Sequence, residues 1–248
     1  MVTTLVRGSG EPVTVFAHGL GADIADTRPL GSGVDGTKVF YTARAHDGVA
    51  VERFDYAVLA ADLRAVADEH DATRALGVSM GAGALCHLIA ETPDRFARLV
   101  FFLPAVVDEP RADVARLRLT ALDEAVAHGD GDAAAALIAA ELPASVRDTP
   151  AGRAYAAARA KILCQPSMRG IPARLAGQVA VADPAALSRV TAEALVLGCE
   201  GDAAHPAAVA RRLAELLPSS RLHIFEDPNV MWTHRTELRE RIGHFLNS

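Results

Sequence analysis

Gly77-Val78-Ser79-Met80-Gly81 lies between a short apolar run and a helical pattern, and this junction constrains the chain more than any other stretch. Thr73-Arg74-Ala75-Leu76-Gly77-Val78 reads as a short buried strand, and Leu85, Leu88 and Ile89 recur at helical spacing beyond it. A chain that leaves a buried strand and enters a helix at once must turn sharply, which holds the residue at the turn in a strained conformation. Glycines at 77 and 81 flank that turn because a Cβ there would crowd the neighbouring backbone. Ser79 then stands at a helix N-terminus, where unpaired N–H groups and the helix dipole favour developing negative charge. Ser79 is therefore the candidate nucleophile. The five-residue pattern is weak alone; the strand before it and the helix after it make it specific.

Upstream, Leu5 and Val6 suggest a first strand and Gly8-Ser9-Gly10-Glu11-Pro12 a turn. Pro12 to Ala17 reads as a buried strand of β-branched and aromatic residues, and it ends in His18-Gly19-Leu20-Gly21. The glycines let the backbone bend tightly, so that the N–H of Leu20 points into a cleft and pairs with the N–H of Met80 as an oxyanion hole. Thr37 to Ala43 reads as a further strand. Tyr56 to His70 places Leu59, Leu63 and Val66 on one face, as a crossover helix between parallel strands requires. Leu99 to Pro104 and Thr191 to Gly198 are two more buried strands, and Ser220 to Phe225 is the last. Thr233 to Leu246 reads as a closing helix with Thr233 as its N-cap.

A chain of 248 residues, 50% hydrophobic and 23% charged, buries a full core and fits one domain with an insertion better than two. Its net charge of -6 and pI near 5.8 argue against a nucleic-acid or anionic-membrane partner. The N-terminus lacks the apolar run of a signal peptide, and no later run approaches the roughly 18 residues of a membrane helix. The expectation is a soluble cytoplasmic protein acting on a small molecule, with a homodimer left open. Cys86, Cys164 and Cys199 are widely spaced and form no metal pattern, so no metal or other cofactor is expected and the thiols read as reduced core residues.

A strand ending in His-Gly-Leu-Gly, followed later by strand, Gly-Val-Ser-Met-Gly and helix, resembles the α/β-hydrolase superfamily over almost the whole chain. The resemblance implies an α/β fold: a mostly parallel twisted sheet with helices on both faces and an inserted helical cap. The core would comprise residues 1–106 and 188–248, and the cap 107–187, where alanine-rich helices are broken by Gly129-Asp130-Gly131, Pro143, Pro150 and Pro166. It further implies that His18 braces the oxyanion loop and that His46, in a loop before the crossover helix, is structural or lines the cleft. The segment from Ala22 to Gly36 is either a substrate-facing loop or a surface excursion. Arg153, Arg159, Arg169 and Arg174 on the cap either meet an anionic substrate or are solvated.

The same resemblance assigns the triad acid to the loop after the strand at 191–198. Asp202 matches it better than Glu200, because Asp-x-x-His-Pro leading into a helix copies the usual layout; His205 is read as capping or packing against that loop. The catalytic histidine is expected between the last strand and the last helix, usually as Gly-His. Here Glu226 to Arg235 contains no Gly-His, and His234 is the candidate base because it is the one histidine in that region; His223 would lie in the strand and His244 late in the helix. A serine hydroxyl is a poor nucleophile until an imidazole takes its proton, and a carboxylate holds the imidazole's tautomer. The expectation is a serine esterase or thioesterase using Ser79, His234 and Asp202, with the Leu20 and Met80 amides on the oxyanion. The missing Gly-His motivates an alternative: a lyase, cyclase or ligand-binding protein with the same fold.

Overall fold

Apolar runs become strands and the amphipathic segments between them become helices. The computed structural model describes residues 2–248. The chain forms β1 (Thr4–Arg7), β2 (Val13–Ala17), a single turn α1 (Ile24–Thr27), β3 (Thr37–Tyr41), α2 (Tyr56–Glu69), β4 (Arg74–Val78), α3 (Met80–Glu91) and β5 (Arg98–Phe102). Five helices follow without an intervening strand: α4 (Asp113–His128), α5 (Gly131–Ala139), α6 (Ala144–Arg147), α7 (Pro150–Leu163) and α8 (Ile171–Ala176). The chain then returns through β6 (Glu193–Cys199), α9 (Ala207–Leu216), β7 (Ser220–Phe225), α10 (Val230–Thr233) and α11 (Arg235–Asn247).

The seven strands form one sheet in the order β1-β3-β2-β4-β5-β6-β7. Only the edge strand β1 is antiparallel; the other five pairings are parallel. Parallel strands need crossovers, and α2, α3 and α9 supply them. The β5 to β6 crossover is the helical cap region α4–α8. Among the described residues no helix is long and apolar enough to cross a membrane.

Period-two alternation divides the core between the two faces of the sheet. Val15, Val39, Leu99 and Phe101 pack on one face with α2 and α3, against Leu59, Leu63, Leu85 and Leu88. Their immediate neighbours Phe16, Phe40, Val100 and Phe102 pack on the other, against Leu238, Ile242 and Phe245 of α11. Burial of strands on both faces explains why they read as continuous apolar runs.

Two sequence expectations are refined here. The segment 22–36 is structured: Asp23 caps α1 in a reciprocal capping box with Asp26, and a 3-10 turn over Arg28–Gly31 buries Leu30. The closing helix starts at Arg235, not at Thr233. Asn229, with φ 64°, opens the separate turn α10, and the Thr233 hydroxyl bonds back to the Asn229 carbonyl at 3.3 Å instead of capping α11.

The sheet meets α3 at Gly81. A Cβ on Gly81 would lie 2.4 Å from the Ala17 carbonyl oxygen, and one on Gly77 would lie 2.6 Å from the Gly81 carbonyl oxygen. A Cβ on Gly131 would meet nothing within 4 Å. Gly81→Ala is accordingly expected to lower unfolding free energy by ~1–3 kcal/mol in denaturant titrations, and Gly131→Ala to change it by less than ~0.5 kcal/mol. Equal effects would mean that the close approach at Gly81 does not constrain the fold.

Candidate active site

Ser79 occupies the turn between β4 and α3 with φ 51° and ψ -106°, a backbone conformation that costs of order 1–3 kcal/mol for a residue with a Cβ. Neighbouring bonds hold it there: Ser79 N–H donates to the Phe102 carbonyl at 3.0 Å, and Gly83 N–H to the Ser79 carbonyl at 3.1 Å. The side chain faces a cavity of about 190 Å³ beneath the cap, shared with Leu20, Met80, His205 and Met231.

His205 Nε2 lies 2.8 Å from Ser79 Oγ, and His205 Nδ1 lies 2.9 Å from Asp202 Oδ2. The loop after β6 creates this line by itself. Asp202 Oδ1 accepts the N–H groups of Ala204 at 2.8 Å and His205 at 3.0 Å, which folds the chain back over the carboxylate. The side chain three residues on therefore returns to the other carboxylate oxygen. Burial pushes the Asp202 pKa up, but the His205 bond, the nearby imidazole and the two backbone N–H groups outweigh it and hold the value at about 2. With Asp202 ionised, Nδ1 carries the proton and Nε2 is left as the acceptor facing the serine.

The structure thus places His205, and not His234, between Ser79 and Asp202. His234 ends the turn α10, with Nδ1 3.6 Å from Glu237 and Nε2 3.6 Å from Asp227. Its ring packs on Phe225 at 5.4 Å. The correction has a local cause: α10 projects Met231 into the cavity and carries the chain one turn past it before His234 arrives. His223 lies 3.6 Å from Glu237 on β7, away from the cavity. Glu200 pairs with Arg211 at 2.5 Å on the surface. The reading of His205 as a packing residue missed the signal in its spacing. An aspartate that takes the N–H of the residue three positions on also brings that residue's side chain into reach.

The other wall of the site is the loop His18 to Gly21. His18 Nε2 accepts from Ala43 N–H at 2.8 Å, so Nδ1 is protonated and donates to the Gly19 carbonyl at 2.7 Å. His46 Nε2 accepts from Gly21 N–H at 3.0 Å, and its Nδ1 donates to the Arg44 carbonyl at 3.0 Å. The two rings meet edge to face at 4.8 Å. His18 thus bonds within the loop, and of the two readings of His46 the contacts are those of a structural residue, since it does not line the cavity. The loop lies directly on the turn of β4 and α3: a Cβ on Gly19 would touch Ser79 Cβ at 3.4 Å. Leu20 N–H has no protein acceptor among the described residues, and Met80 is the first residue of α3, where no preceding turn supplies one.

Of Arg153, Arg159, Arg169 and Arg174, Arg159 lines the cavity, whereas the other three are exposed. Cys86 and Cys199 are buried, Cys164 is half-buried, and all three are free. Among the described residues no group of three metal-ligating side chains occurs.

The same architecture recurs in solved structures. The MGS-M2 α/β hydrolase enzyme from a Medee basin deep-sea metagenome library superimposes with a TM-score of 0.83 at 13% identity, covering 100% of this chain and 94% of that one. The enol-lactonase from Burkholderia xenovorans LB400 gives 0.81 at 18% identity, with 100% and 96% covered. The putative non-heme bromoperoxidase BpoC from Mycobacterium tuberculosis H37Rv gives 0.80 at 18%, again with 100% and 96% covered. No family model and no curated protein sequence matches the chain.

Burial lowers the His18 pKa to about 4 and the His46 pKa to about 3, from an ordinary 6.5. The unfolded chain therefore takes up these two protons before the folded one does. Stability is complete above pH ~6.5 and falls as pH drops toward 4, by ~1.4 kcal/mol per pH unit for each histidine. Urea midpoints between pH 7 and 5 are expected to fall, and His46→Gln to flatten that slope by about half; an unchanged slope would remove His46 as a neutral buried group.

Proposed function

We propose that this chain is a serine hydrolase of an ester or thioester, with Ser79, at the end of a parallel strand, as its activated nucleophile. The observation that carries the reading is the unbroken line Ser79 Oγ, His205 Nε2, His205 Nδ1, Asp202 Oδ2, with contacts of 2.8 and 2.9 Å. Several solved structures of the same fold are described as esterases or lactonases, which agrees with hydrolysis without identifying a substrate.

In this reading Ser79 Oγ attacks the carbonyl carbon while His205 Nε2 takes its proton. The oxyanion that forms is held by the N–H groups of Leu20 and Met80, next to the positive end of α3. His205 then gives its proton to the leaving alcohol or thiol. Water, deprotonated by the same nitrogen, attacks the acyl-serine and releases the acid. Asp202 keeps the imidazole in the required tautomer and stabilises its protonated form. The absent Gly-His motivates the alternative of a ligand-binding or non-hydrolytic protein; an imidazole 2.8 Å from Ser79 supports hydrolysis over it. The cap, as a unit over residues 107–187, closes the site from water and selects the acyl group.

A fluorophosphonate probe is expected to add one adduct to the wild type, seen by intact mass, and none to Ser79→Ala. On any ester that is turned over, His205→Ala should lower kcat/KM by about 10³-fold or more, and His234→Ala by less than about threefold. Loss of activity in His234→Ala with retention in His205→Ala would reverse the assignment.

A further inference from the structure

Three guanidinium groups reach the cavity above Ser79 from the cap side, and their partners differ. Arg118 of α4 is paired with Glu141. Arg111 donates to the carbonyls of Leu175 at 2.5 Å and Gln178 at 3.1 Å and to the Tyr56 hydroxyl at 2.7 Å, which ties it into the scaffold. Arg159 of α7 bonds only neutral oxygens: Nη1 donates to the Tyr155 hydroxyl at 3.0 Å and Nη2 to the Leu20 carbonyl. A guanidinium has five N–H donors. Those two bonds leave Nε and one hydrogen on each terminal nitrogen of Arg159 free.

Among the described residues no carboxylate forms an ion pair with Arg159. Glu141 is committed to Arg118. Asp26 borders the same cavity; its Oδ2 accepts from Asp23 N–H at 3.1 Å, and burial pushes its pKa up against the opposing pull of the Arg159 charge, with no direct ion pair between the two. Asp202 lies behind the His205 imidazole, which takes its Oδ2. The cavity is walled chiefly by apolar groups such as Leu119, Leu122, Ile138 and Leu163. A cation beside such a wall, with no carboxylate in direct contact, has a desolvation cost that an anionic ligand would offset. Its position beside the Leu20 carbonyl puts that ligand next to the loop from His18 to Gly21.

We propose that Arg159 binds a carboxylate of the substrate, so that the chain acts on esters or thioesters of dicarboxylic acids in which one carboxylate is free. The chemistry of this proposal rests on Ser79 as nucleophile; its binding does not. The competing role for Arg159 is purely structural, as an anchor of the Leu20 loop.

The test is equilibrium binding to Ser79→Ala. Trp232, the single tryptophan, packs edge-on against Tyr155 at 5.5 Å, and Tyr155 bonds Arg159, so its emission reports on the site. Monomethyl adipate is expected to bind at least about tenfold more tightly than dimethyl adipate, as a charge-assisted bidentate contact implies. Adding Arg159→Gln should abolish the difference, and Arg159→Lys should restore part of it, with circular dichroism confirming that each variant is folded. An anchoring role would weaken both ligands alike and leave their ratio unchanged. Equal affinities in Ser79→Ala, no saturable response to the monoacid, or a preference that survives Arg159→Gln would each overturn the proposal. Fluorophosphonate labelling of the wild type reads the serine separately: preference without labelling leaves the anion site standing and removes hydrolysis, and labelling without preference does the reverse.

Discussion

The contact on which the site depends is the approach of α3 to β2, backbone against backbone. With 2.4 Å between an imagined Gly81 Cβ and the Ala17 carbonyl oxygen, no other residue fits there undisturbed. That approach brings the start of α3 beside the loop that leaves β2, so that Ser79, Met80 and Leu20 border one cavity. Ser79 is held in its strained conformation by bonds from both sides, to Phe102 on β5 and from Gly83 in α3. The strain is sustained because the sheet and helix around it are rigid; a looser junction would relax it and withdraw the hydroxyl.

Around this junction the polar groups are arranged in two independent frames. One is the pair His18 and His46, whose ring nitrogens accept from the N–H groups of Ala43 and Gly21 and donate to the carbonyls of Gly19 and Arg44. Two neutral imidazoles with all four nitrogens bonded set the shape of the loop from His18 to Gly21 without adding charge near it. The other frame is the Asp202 loop, in which a single carboxylate binds two backbone N–H groups and the imidazole three residues away. Because acid and imidazole share one short turn, their geometry is set locally and does not require the loop after β7 to deliver a side chain. That loop is free to send Met231 into the cavity.

Much of the fold was legible because its signals are local. Buried parallel strands such as Val13 to Ala17 and Leu99 to Phe102 are apolar on both faces, and the crossover helix places Leu59, Leu63 and Val66 on one face. The turn at Ser79 and the close approach of the Leu20 loop to Met80 were legible for the same reason, since the glycines around them mark backbone approaches. The start of α11 was misread because Thr233 looks like a cap, whereas the left-handed Asn229 had already begun a separate turn. Arg159 could not be sorted from Arg153, Arg169 and Arg174, because all four are basic residues on alanine-rich helices and only packing of the cap against Leu20 separates them.

The amino-acid sequence by itself determined the order of strands and helices, the turn at Ser79 and the acidic loop at Asp202, since each follows from periodicity or from residues within a few positions of one another. Only the tertiary structure decided which histidine faces the serine and which arginines reach the cavity. The choice between His205 and His234 depends on the direction in which two loops leave adjacent strands β6 and β7, and the Asx-type turn at Asp202 points its imidazole inward while α10 carries the other one past the site. A side chain's chemistry is written at its own position; its partner across 126 residues, as for Ser79 and His205, is set by how the sheet is assembled.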